Sequence, residues 1–109
     1  MRALLFDEIR PPDMERLAQH LAQHLTTSGL PEVFWLELPP ELLSAEQAAH
    51  ADCGPHRVAL VLEEDSLKLE LLVRGASLHC SCTAYADAAQ RQWLLEFGDR
   101  LLAELDIRT

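Results

Sequence analysis

Positive charge is scarce in this sequence. Lys68 is the only lysine, eight arginines make up the rest, and 18 acidic residues leave a formal net charge of −9. Binding of phosphate backbones needs clustered Lys and Arg that displace counterions, and here the basic side chains are scattered, so nucleic acid and anionic membrane surfaces are excluded as partners. No glycine-rich loop runs into a lysine, which removes the phosphate-cradling P-loop. Long apolar runs are missing as well: the longest, Val58–Leu62, has five residues, against about 20 for a bilayer span. After Arg2 the stretch Ala3–Phe6 is stopped by Asp7 and Glu8, too short for a signal-peptide core. Cysteine is sparse and odd in number, three in all, with two of them one residue apart. That is no secreted disulfide framework, and it points to a reducing cytoplasm.

What the chain has is leucine, 22 of 109 residues, enough apolar side chain for residues 1–109 to fold as a single α+β domain. Pro11-Pro12, Gly29 to Pro31, Pro39-Pro40, Gly54-Pro55 and Gly75 divide it into elements. After an uncertain start, Pro12 opens a helix whose Met14, Leu17, Ala18, Leu21 and Leu25 form one apolar stripe; Gly29 and Pro31 are expected to end it. Val33–Leu38 predicts a strand covered on both sides. Ser44 and Gln47 have capping-box spacing in a second helical stretch closed by Gly54-Pro55. Arg57–Leu62, Leu67–Val73 and Ser77–Ala84 predict a three-strand meander, in which Leu67, Leu69, Leu71 and Val73 alternate with Lys68 and Glu70.

Asp87 caps the last helix with Gln90 three residues on, and Leu94, Phe97, Leu101 and Leu105 make its stripe. Gly98 on that face predicts a close approach to the sheet. The expected architecture is a two-layer sandwich ordered helix, strand, helix, three-strand meander, helix, around a mainly antiparallel four-stranded sheet. The direction of the first strand stays open, because the 18 residues from Pro39 to His56 suit either a parallel crossover or an antiparallel return. Leu36, Leu60, Leu69, Leu71, Leu94, Phe97 and Leu101 are the expected core.

Six of the eight Cys and His residues, His50, Cys53, His56, His79, Cys80 and Cys82, fall within 33 residues. Cys53-Gly54-Pro55-His56 supplies a C-x2-H pair at a turn, and Cys80-Ser81-Cys82 would put two thiols on one face of a strand. Together Cys53, His56, Cys80 and Cys82 make a candidate Cys3His zinc site. The competing reading is core packing, since Cys80 and Cys82 share that face with Leu78 and Ala84 and a free Cys behaves as a small hydrophobe. A catalytic cysteine is disfavoured, because Cys53 follows a helix C-terminus and adjacent His79 and Cys80 would point to opposite faces. His20 and His24, four apart on the first helix, read as a solvated shoulder, and Glu63-Glu64-Asp65 as a solvated turn.

The leading expectation is a small acidic cytosolic interaction protein, adaptor-like and homodimeric, with a protein as its other candidate partner. The alternative is a zinc-stabilised domain built on the four Cys and His residues, and an enzyme of unknown class comes third. The dimer rests on surplus apolar surface: Trp93, Leu95 and Leu102 widen the arc of the last helix, and Leu72 lies on the far sheet face with Val61 and either Trp35 or Phe34. The competing cover for that surface is the chain's own start, with Leu4, Leu5, Phe6 and Ile9.

Overall fold

The computed structural model describes the whole chain, Met1–Thr109. The alternation of leucine with charge does build a sheet. Strand β4 (Arg57–Leu62) pairs antiparallel with β5 (Leu67–Glu70), setting Leu60 opposite Leu69 and Leu62 opposite Leu67 on the covered face. β3 (Val33–Glu37) pairs antiparallel with β4, so the segment from Pro39 to His56 is a return and not a crossover. Register also places Trp35 and Phe34: Phe34 is buried, while Trp35 faces the open side, where the Arg57 guanidinium lies 4.3 Å from its ring centre.

The sheet has five strands where four were expected: two short strands with little sequence signal are added and one expected strand is missing. β1 (Ala3–Phe6) adds to β5 with Leu4 opposite Leu69. β2 (Thr26–Thr27) adds to β3, giving the order β1-β5-β4-β3-β2. Helix α1 (Pro11–His24) therefore ends at His24, well before Gly29. Gly29, with φ of +93°, turns the chain between β2 and β3 instead.

The third strand of the meander does not form. Ser77–Thr83 runs in successive turns, closed by Cys80 N–H to Ser77 O at 3.2 Å and Thr83 N–H to Cys80 O at 3.0 Å. The Thr83 hydroxyl donates to Ser77 O and accepts from the Gly75 N–H, both at 3.0 Å. Hydroxyl side chains that satisfy nearby backbone groups compete with a ladder, and here they win. Only β7 (Ala84–Tyr85) pairs, with β6 (Leu72–Val73), as a separate two-stranded ribbon.

Both capping boxes form, Ser44 with Gln47 at α2 (Ala45–Ala49) and Asp87 with Gln90 at α3 (Ala88–Glu104). Leu17 and Leu21 of α1 and Leu94, Leu101 and Leu102 of α3 join Phe34, Leu36, Leu60, Leu67 and Leu69 in one buried cluster. Phe97 is not in that cluster: it is half-buried at its edge and stacks on Trp93 with ring centres 6.0 Å apart. The first residues cover part of the α3 face. Leu4 and Phe6 pack against the core, Ile9 is buried, and the Phe6 ring lies over Gly98.

A Cβ at position 98 would fall 2.6 Å from Phe6 Cζ. Gly98→Ala gains about 1 kcal/mol of helix propensity but overpacks the site by about 1–3 kcal/mol, so a small net fall in thermal stability is expected. The double variant with Phe6→Leu should recover it in the same melting experiment.

Candidate metal centre

Two turns far apart in sequence are drawn together by a buried pair of glutamines. Gln90, third residue of α3, donates from Nε2 to Leu42 O at 3.1 Å and to Gln47 Oε1 at 2.9 Å. Gln47, third residue of α2, donates in turn to Cys82 O at 3.4 Å. Each amide also closes its own capping box, accepting the Ser44 or Asp87 N–H at 3.1 Å. On the surface above them the Ser81 hydroxyl donates to the Glu46 carboxylate. The start of α2 is thereby fastened to the turn carrying Cys80 and Cys82. Gln90→Leu strands the Leu42 carbonyl and the Asp87 N–H at once and removes one of the two donors to Gln47 Oε1. A loss of about 3 kcal/mol is expected in denaturant unfolding.

Beyond α2 the chain makes one 3₁₀ turn, Ala51–Cys53, with Cys53 N–H donating to His50 O at 2.9 Å. The Cys53 carbonyl accepts from Ala76 N–H at 2.6 Å, which sets Gly75 against the cysteines. The three sulfurs of Cys53, Cys80 and Cys82 all lie within 4.8 Å of one another, with Cys53 Sγ and Cys80 Sγ 3.5 Å apart. Thiolates about 2.3 Å from a tetrahedral zinc sit about 3.8 Å apart. The cluster is already near that size, and the three cysteines could hold a metal ion. All three are free; Cys82 is buried, and Cys53 and Cys80 are half-buried on the solvent side.

The three sulfurs shift one another's ionisation, and the shifts favour a thiolate at Cys80 first. Hydrogen bonds from the Cys82 thiol and the Cys82 N–H, the latter at 3.4 Å, hold Cys80 below the usual thiol range. Donating to Cys80, together with burial, pushes Cys82 up to about 12. Cys53 is raised for the same two reasons, its bond to Cys80 first and burial second. Further ionisation places like charges side by side, and a bound cation removes that obstacle by ionising coordinating thiols outright.

Of the four residues predicted from spacing, the structure brings together Cys53, Cys80 and Cys82. His56 is not in the group. It enters β4 on the covered side, as alternation with Val58 and Leu60 dictates, and is buried with Nε2 unpartnered. The C-x-C pair converges from a turn and not from a strand face. Of the residues predicted for an interface, Leu102 is in the core, Trp93 and Leu72 are half-buried, and Leu95 is exposed. His20 and His24 stack with ring centres 4.1 Å apart, and the Glu63–Asp65 turn is exposed. Spacing gave no hint of Gly75, whose role comes from contact: a Cβ there would meet Cys82 Sγ at 2.8 Å and Cys53 O at 3.1 Å.

Because that carbonyl is fixed by Ala76, Gly75→Ala must displace the cysteines. Weaker metal uptake is expected, with a loss of about 1–3 kcal/mol in the metal-free protein. Thermal melts with and without zinc measure both.

No protein family, curated protein or solved structure matches the chain. No helix is long and apolar enough to cross a membrane.

Proposed function

We propose that the protein is a small metal-stabilised domain in which Cys53, Cys80 and Cys82 hold one zinc ion. The convergence of three sulfurs from two turns, Cys53 lying 27 residues before Cys80, carries this reading. Soft thiolates select zinc or other thiophilic ions over magnesium and calcium, and zinc brings no redox chemistry of its own. The ion would pin the Ser77–Thr83 turns, which have no sheet partner, to the end of α2. A reducing cytoplasm suits a site that needs its thiols unoxidised. In this reading the folded domain serves binding, not catalysis.

Zinc must displace the protons of Cys53 and Cys82, whose raised pKa values keep them as thiols near neutrality. Affinity therefore rises as pH rises, and competition titrations over roughly pH 6 to 8 should show it. Stripping the metal with a chelator should lower the melting temperature; equal melts before and after would refute the proposal.

A second reading, pairing with another copy of the chain, draws on the open sheet face, where Trp35 and Val61 are half-buried and Leu5 is exposed, and on Leu72, half-buried in the β6–β7 ribbon. Sedimentation equilibrium at micromolar concentration decides it. A single 12.3 kDa species would end it, and a 12.3 kDa species in exchange with one of twice that mass would support it.

A further inference from the structure

We propose that His50 completes the coordination sphere through Nε2, with the Glu46 carboxylate behind it as a positioning group; this rests on the three-thiolate reading above. His50-Ala51-Asp52-Cys53 has the two-residue spacing of paired zinc ligands, and the hydrogen bond from Cys53 N–H to His50 O shows that both residues belong to one tight turn. The same spacing runs downstream from Cys53 to His56. Neither ring belongs to the three-sulfur group, but the two directions differ in the fold: His56 departs buried into the covered side of β4, whereas His50 stays half-exposed at the turn and would have only to swing its ring toward the sulfurs.

The imidazole is prepared for this role. Its Nδ1 lies 2.7 Å from Glu46 O, a group that only accepts, so Nδ1 carries the hydrogen and Nε2 keeps its lone pair. The Glu46 carboxylate is 3.6 Å from the same Nδ1 and accepts from Ser81, the residue between Cys80 and Cys82. Histidine ligands usually donate their second ring nitrogen to a carbonyl or carboxylate, which orients the ring and raises its basicity. Here the accepting carbonyl and a carboxylate within ion-pair distance belong to one residue, which also grips the opposite turn.

Cobalt(II) substituted into the full chain reads the coordination directly. The wild type should show thiolate-to-cobalt charge transfer and the strong visible bands of a tetrahedral site. In His50→Ala the charge transfer should persist, the visible bands should shift, and affinity should fall at least about tenfold. Free imidazole should restore the bands. His56→Gln should keep the wild-type spectrum. A His50→Ala spectrum and affinity equal to wild type, or a shift seen in His56→Gln alone, would overturn the assignment. Absence of thiolate charge transfer from the wild type would instead overturn the three-thiolate site itself, so the two failures are distinct.

Discussion

Cys82→Ser is expected to abolish zinc binding and to lose stability even in the absence of metal. Cys82 is the buried sulfur of the three, packed against Gly75 and bonded to Cys80, with its carbonyl held by Gln47. A serine there offers a harder and shorter ligand, and its hydroxyl must find a partner in a dry position, at a cost of about 1–3 kcal/mol. The bound ion itself stabilises by mass action, about 4 kcal/mol when free zinc exceeds the dissociation constant 1,000-fold. Both effects fall on this variant together. Thermal melts with and without zinc separate them: the wild type should shift upward with metal and Cys82→Ser should not. A zinc-dependent shift that survives in Cys82→Ser would remove Cys82 from the site.

Leu60→Ala is expected to cost about 2–5 kcal/mol, a large share of the stability of a domain this small. Leu60 is fully buried in β4, with Phe34 opposite it on β3 and Leu69 on β5, so truncation opens a cavity that two flanking strands cannot close. Phe97→Ala should cost less despite the larger side chain, because Phe97 sits half-buried at the margin of the core against Trp93. Denaturant unfolding of the two variants gives the order. Phe97→Ala proving the more damaging would mean that the α3 face is oriented differently.

Local signals made much of this fold legible. The capping boxes at Ser44 and Asp87 and the alternation around Lys68 are read within a few residues, and each is present. β1 escaped because its four residues have no flanking turn and gain their meaning from β5, more than sixty positions away. Ser77–Ala84 misled because its periodicity is that of a strand while its hydroxyls close turns onto their own backbone. The cysteines were legible as a group because they crowd together in the sequence, Cys53 at the Gly54-Pro55 break and Cys80 one residue from Cys82, although that pair was expected on a strand face and stands on turns. The histidine we propose beside them was not, since spacing about Cys53 is symmetric and only the direction of β4 separates His50 from His56. The Gln47–Gln90 bond was equally hidden: each amide announces a helix start, and nothing local says that the two starts meet.

The most direct test is the zinc content of untagged protein purified without chelator, measured by elemental analysis beside its melting curve. One zinc per chain is expected, lost on chelation together with a fall in melting temperature, and absent from the variant with Cys53, Cys80 and Cys82 all changed to serine. Wild-type protein that carries no zinc, takes up none when zinc is supplied under reducing conditions, and melts identically with and without chelator would contradict the account.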